Sequence, residues 1–347
     1  MTATAVAEPV PETPAPPSRD RRLRYTFVLA GIGLVVFGVV SLCVGRRMLG
    51  PGPAIAALFG QGDASTNALV QDSRLPRTLI AACVGAGLAV AGATSQALTR
   101  NPLAGPSVLG LVHASAFAVV ALIAFNNPGP GVLAVAAVLG STVCFGAVFL
   151  FASVGSRGPS PARLTLAGVG LTGVFLAGIE FFVIYDEVTF ESARRWISGS
   201  LADRPLDALL PVLPVLVIGW VLALAMGPAL DLLETGDDVA SSLGQRVLAS
   251  RLTAGAAVCL LTGSAVAVGG PIVFIGLMVP HVCRKLVGAT NRAVIPASLV
   301  VGALFLVVAD TIARRPFGAG ELPVGVITAL VGGPVFVLIA RKLGESR

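Results

Sequence analysis

Arg74 and Arg77 stand either side of Leu75-Pro76, immediately before a long apolar run, and Arg314 closes another such run four residues after Asp310. A guanidinium group at the rim of an apolar stretch has two uses. It snorkels toward lipid headgroups, or it meets carboxylates of a partner, which its planar fork of donors fits. The Asp310–Arg314 spacing places the acid one helical turn away, where it can orient the guanidinium. His113 and Glu180 are ionisable groups in or near apolar runs, positions where charge is costly and a functional role is the default hypothesis. A lone histidine without a second ligand is a poor metal site, so His113 reads as a hydrogen-bonded packing residue before it reads as an iron ligand. Glu180, close to Tyr185 and Asp186, can reach the membrane interface.

Catalytic chemistry finds no pattern to stand on. There is no HExxH and no paired acidic motif, and the two histidines, His113 and His281, are far apart in the chain. Neither Lys285 nor Lys342 follows a glycine, so a phosphate-cradling loop of the usual kind is excluded. The chain is expected to be no enzyme and to hold no cofactor or metal. If ATP is used, a separate subunit must bind it with its Mg. The cysteines (Cys43, Cys83, Cys144, Cys259, Cys283) are odd in number and sit in or beside apolar runs, as small core residues do.

What positions these residues follows from composition. Of 347 residues 55% are hydrophobic and 12% charged, with a mean hydropathy of +0.89. Soluble domains carry roughly a quarter charged residues, so this chain cannot clothe itself in polar surface. The net charge of +6 comes from arginines at the edges of apolar runs. That placement suits headgroups and topology signals, not nucleic acid.

Apolar stretches recur at 25–45, 76–98, 105–125, 131–153, 163–184, 206–227, 248–268, 272–289, 293–312 and 321–341. Each approaches the ~20 residues that cross a bilayer as a helix, and none alternates as a barrel strand does. The fold expected is all-α, a polytopic bundle of about ten transmembrane helices; Gly269-Gly270-Pro271 breaks the run just before the eighth. Gly85, Ala89 and Ala93 put small residues on one face, which lets helix backbones approach. Residues 1–24, rich in Ala, Pro and Glu, read as a disordered cytoplasmic tail, 25–342 as one transmembrane domain, and 343–347 as a C-terminal tail.

Counting Lys and Arg on alternate sides gives the larger share to the side of the N-terminus, favouring both termini inside the cytoplasmic membrane. The other side still carries Arg46, Arg47, Arg74, Arg77, Arg194, Arg195, Arg204, Arg314 and Arg315. Either the orientation is inverted or the outer face uses positive charge.

Residues 231–246, LDLLETGDDVASSLGQR with its preceding leucine, form the one long polar connector on the inner side. It reads as a solvated link or as a short helix bounded by Gly236 and Gly244. Asp237 and Asp238 would then favour its N-terminal end, and Ala240 and Leu243 would be its apolar contacts. Pro102 breaks the chain after the second span, making Asn101 and Leu103 turn residues.

The ordered set RLPR (74–77), NPLA (101–104), LG (109–110), VPH (279–281), AD-x-x-AR (309–314) and ELP-x-G (321–325) resembles the FecCD-type permeases, membrane subunits of type II ABC importers for ferric siderophores, haem and vitamin B12. The likeness spans about residues 45–342. It implies ten helices working as a homo- or heterodimer with a second permease subunit. It also implies two ATP-binding subunits and an extracytoplasmic substrate-binding protein. Arg74, Arg77 and Arg314 are expected to dock glutamates of that protein. Gly236, Asp237, Asp238, Ala240, Leu243 and Gly244 are expected to couple to the ATPase. Asn101 and Leu103 are gate candidates, with His113 and Glu180 as candidates for the translocation path. The chain departs from the family at Leu109–Ser115, where a small or polar run is common, and at Thr235 and Gln245, where aliphatics are usual. An ion-coupled secondary transporter would need a relay of intramembrane acids or lysines, and an intramembrane enzyme a clustered constellation at one face. Neither is present.

Overall fold

The computed structural model describes residues 19–125, 128–154, 160–185, 190, 193–194, 196–314 and 320–345. Among these the fold is helical: α1 (Arg19–Cys43), α2 (Pro51–Leu58), α3 (Ala64–Ala68), α4 (Leu75–Thr99), α5 (Leu111–Phe125), α6 (Pro130–Ser153), α7 (Pro161–Tyr185), α8 (Leu213–Glu234), α9 (Asp237–Ser242), α10 (Val247–Gly269), α11 (Ile275–Val287), α12 (Asn291–Ala313) and α13 (Val324–Glu345). A wide π-turn, Leu69–Arg74, joins α3 to α4.

Among the described residues seven helical stretches are long and apolar enough to cross a membrane, α5 and α13 are shorter apolar helices, and α11 occupies the eighth apolar run. Two passes are shorter than their apolar runs suggested. The third run was expected from 105, but its first residues form an irregular segment through Gly110 and α5 begins only at Leu111. The eighth, α11, has 13 residues, about 20 Å at 1.5 Å per residue, against a hydrocarbon core of about 30 Å. The cause in both is local: Pro102, Gly105 and Pro106 disfavour helix before one, and Gly270, at φ 75°, with Pro271 ends the preceding helix before the other. The non-helical backbone is tolerated because it is covered by protein. Ala104, Gly105 and Pro106 are buried, and Gly105 lies against Gly276 at the start of α11.

The tail boundaries also move. Arg19 to Arg24 are the first turns of α1, not part of a tail, and α13 continues through Glu345. Residues 1–18 and 346–347 lie outside the described residues.

Helix α4 is the axis of the bundle, buried on nearly its whole circumference and packed by α8, α10, α11 and α12. Small residues make this possible. A Cβ on Gly85 would lie 2.3 Å from the Gly302 carbonyl oxygen of α12, and one on Gly92 would lie 1.9 Å from that of Gly276. Ala89 lies in the same Gly302 contact, so Gly85 and Ala89 form the α4–α12 seam. Helix α1 lies outside α12, while α5, α6 and α7 pack together beyond α10. Interhelical hydrogen bonds from Ser115 Oγ to the Ala137 carbonyl (2.8 Å) and from Ser141 Oγ to that of Cys259 (2.9 Å) fix that side. The outward faces of α6 and α7 are apolar, with Val143 69% and Leu166 74% exposed, as a lipid-facing surface must be. Both termini of the described chain lie at the end of the bundle that carries α9. The opposite end carries the C-terminus of α1 and the start of α4, and is called the rim here.

Candidate functional site

The rim gathers the three arginines from two distant parts of the chain. Arg77 sits in the first turn of α4 and Arg314 caps α12, so their side chains converge on Asp310. Arg77 Nε donates to both Asp310 oxygens at 3.0 Å, with Nη2 2.9 Å from Oδ1. Arg314 donates to Asp310 Oδ2 through Nε (2.9 Å) and Nη2 (2.7 Å), the expected i,i+4 pairing. Arg77 Nη1 reaches Glu321 Oε2 at 2.6 Å, and Arg314 Nη1 donates to the Ser41 carbonyl at 2.7 Å. Arg74 donates to the carbonyls of Leu42 and Arg47, tying α4 to the end of α1 and the following loop.

All three guanidinium groups are buried (relative exposures 5%, 8% and 2% for Arg74, Arg77 and Arg314), and Asp310 is fully enclosed. They are not snorkelling chains. They line the floor of a cleft of ≈ 380 Å³ whose walls include Arg46, Arg47, Asp203 and Glu321. Arg46 and Arg47 are the exposed cations of this cleft. Nearby, Asp63 caps α3; bonds from the Ser65 hydroxyl and from Thr66 hold its carboxyl down at about 2.

The opposite end carries the polar connector. Gly236, at φ 122°, opens α9 and Gly244, at φ 82°, follows it, so both act as ends. Ala240 is fully buried against the bundle and therefore turns away from any partner; Leu243 (65%) and Val239 (48%) are the apolar side chains facing outward. Asp237, half-exposed at the start of α9, is held by Arg100 and Arg251. Asp231 accepts from the Asn291 backbone at 2.6 Å, tying the end of α8 to the start of α12.

Arg100, at the end of α4, is followed by Asn101, whose Oδ1 accepts from Leu103 N at 3.0 Å and closes the turn. Gln96 fastens α4 to α11 by donating to the Gly276 and Leu277 carbonyls (3.2 Å each) and accepting from Arg284. His113 is half-buried in a largely apolar cleft of ≈ 300 Å³ with Ser107, Thr172, Phe274 and Phe336, and its Nδ1 has no hydrogen-bond partner. Glu180 is exposed on α7, five residues before the end of that helix at Tyr185. Arg100, Arg251, Gln96 and Arg284 had no signal in the sequence beyond being polar at the edge of apolar runs. No group of His, Cys, Asp and Glu able to hold a metal occurs among the described residues.

The chain is similar to known proteins along most of its length. The ferric enterobactin transport permease FepD of Escherichia coli is 38% identical over 312 residues, covering 89% of this chain and 92% of its own. The vitamin B12 import permease BtuC of Vibrio cholerae is 38% identical over 333 residues (94% and 97%), and the Fe(3+)-citrate import permease YfmD of Bacillus subtilis 36% over 317 (91% and 94%). A solved structure described as an inward-facing conformation of a metal-chelate type ABC transporter superposes with a TM-score of 0.80 at 30% identity, over 92% of this chain and 99% of its own. The model of the FecCD transport family matches residues 33–342, which takes in every helix from the middle of α1 to the last turns of α13, and this multi-pass membrane protein belongs to that family.

Proposed function

We propose that the chain is the membrane-spanning subunit of an ATP-driven importer that carries a ferric siderophore or related metal chelate across the cytoplasmic membrane by alternating access. The observation that carries this reading is the contrast between its two ends. One end presents an arginine-lined cleft on a rigid ionic floor; the other presents a short helix with outward Val239 and Leu243, anchored inward by Asp237. In this reading the rim faces outward and receives a binding protein, while Leu243 and Val239 enter a groove of the ATPase. The termini are cytoplasmic, consistent with Arg21, Arg22, Arg24, Arg284, Lys285 and Arg292 at that end.

The docking role belongs to the cleft as a unit. Arg74, Arg77 and Arg314 supply fixed positive potential and the floor, and Arg46 and Arg47 the exposed donors that a carboxylate on a partner reaches first. Asn101 and Leu103 form the inner gate, and His113 lines the path. A second permease subunit completes the path, and two ATP-binding subunits bind the nucleotide with its Mg. Haem or vitamin B12 would use the same machinery. A secondary transporter is disfavoured because the buried carboxylate Asp310 is locked between two arginines at the rim, where it cannot relay protons or ions at mid-bundle.

Purification with and without the cognate ATPase tests the assignment. Hydrolysis is expected only in the complex, rising when loaded binding protein is added. Robust hydrolysis by the isolated chain contradicts it.

A further inference from the structure

Asp237 opens α9 at the surface of the bundle, its side chain 40% exposed, and it is gripped from two sides. Arg251 Nη2, on the first turns of α10, lies 2.9 Å from Oδ1 and 2.8 Å from Oδ2. Arg100 Nη2 meets the same Oδ1. Arg251 is a buried side chain, 7% exposed, and Arg100 is 27% exposed, so two largely covered guanidinium groups hold an acid that is itself partly open to solvent.

The backbone at Arg100 is unusual. It adopts φ 47° and ψ 34°, the left-handed conformation that favours glycine, as the C-cap of α4. An L side chain is uncommon there, and this one is directed onto Asp237. The next three residues are Asn101, Pro102 and Leu103, a turn closed on itself by the Asn101 side chain. One covalent step therefore separates the Asp237 ion pair from this turn. Above Arg100 the helix cannot absorb a displacement by bending, because Gly92 lies in backbone contact with Gly276 and Gln96 is bonded to α11. The turn below it is the free end.

Resting on the coupling role given to α9 above, we propose that the Arg100–Asp237–Arg251 clamp is the link through which a movement of α9 displaces the Asn101–Leu103 turn. The three are positioning residues: Arg251 sets the acid, and Asp237 pulls Arg100. A push on α9 would otherwise reach the gate only through the longer route of α8 or α10.

Hydrogen exchange by mass spectrometry on the assembled permease–ATPase complex tests this without knowledge of the cargo. Exchange is compared between the nucleotide-free complex and the complex trapped with ATP and vanadate. In the parent protein, nucleotide is expected to change protection at both 236–246 and 101–105. In Asp237→Asn, and independently in Arg100→Gln, which leaves the Asp237–Arg251 bond in place, the response at 236–246 is expected to persist while that at 101–105 falls at least about fivefold, the lower end of typical allosteric coupling. Asp237→Glu, which keeps the charge, should restore it. An undiminished response at 101–105 in both variants overturns the clamp while leaving the coupling role of α9 intact. No response at 236–246 in the parent overturns the coupling role itself, and the clamp with it.

Discussion

Arg77 and Asp310 lie 233 residues apart in the chain and meet through hydrogen bonds of 3.0 Å from one guanidinium nitrogen to both carboxylate oxygens. Arg314 takes the same carboxylate from the other side, so one enclosed acid balances two enclosed bases, with Glu321 assisting. Such a cluster stabilises only while complete, because an unpaired buried charge is far costlier than a lost contact.

Asp310→Ala is therefore expected to destabilise the protein by about 3–5 kcal/mol, the usual consequence of breaking a buried ion pair. Asp310→Asn, similar in size, should fail almost as badly because the charge is what is missing. Thermal unfolding in detergent followed by size-exclusion measures this. A melting temperature unchanged in both variants would show that the arginines find other partners.

The docking prediction falls on the exposed pair. Arg46→Glu with Arg47→Glu should slow association of the binding protein and flatten its salt dependence, since rim charges act mainly on encounter. Expression and ATPase pairing should stay at parental levels. Reversing Arg74 or Arg77 instead should damage folding first, because their donors are bonded inside the chain. Surface plasmon resonance across a salt series reads the first effect; identical on-rates at every salt concentration would assign the cleft no part in docking.

Leu243→Glu places a charge on the most exposed apolar residue of the α9 connector. The chain should remain folded and membrane-inserted while copurification of the ATPase is lost. Ala240→Glu should behave differently and unfold the connector, because Ala240 has no exposure at all. Equal ATPase recovery with Leu243→Glu and the parent rules the connector out as a coupling surface.

A Cβ at Gly92 would sit 1.9 Å from the Gly276 carbonyl oxygen, backbone against backbone. Overpacking of this kind costs about 1–3 kcal/mol, occasionally more, and neither partner here has a flexible side chain to move. Gly92→Ala should reduce folded yield sharply, whereas Gly31→Ala, where a Cβ meets nothing within 4 Å, should not. Parity of the two yields contradicts the close α4–α11 approach.

The bundle itself was legible in the sequence because apolar runs of bilayer length admit few other folds. Small residues at 85 and 89 marked the packing seam of α4, and Gly236 and Gly244 the ends of α9. Asp310 and Arg314 were readable as a pair, being one turn apart. The lengths of α5 and α11 were not, since hydropathy is blind to whether apolar residues are helical or lie in a covered coil beside Gly276. Nor could periodicity say that Arg74, Arg77 and Arg314 are enclosed: an arginine at a helix end looks the same in one dimension whether it meets lipid, water or Asp310. A six-residue helix has too little pattern to orient, so nothing in the sequence shows that Ala240 faces the bundle. The meeting of Arg100, Asp237 and Arg251 depends on three separate segments and left no trace in spacing.

Transport in a defined system tests the import function most directly. Proteoliposomes holding this chain, its cognate ATPase and the binding protein, supplied with radio-iron as a ferric siderophore that the binding protein retains, should accumulate iron with ATP. They should not do so with a non-hydrolysable analogue or without the ATPase. Accumulation driven by an ion gradient alone, undiminished when the ATPase is omitted, would contradict ATP-driven import.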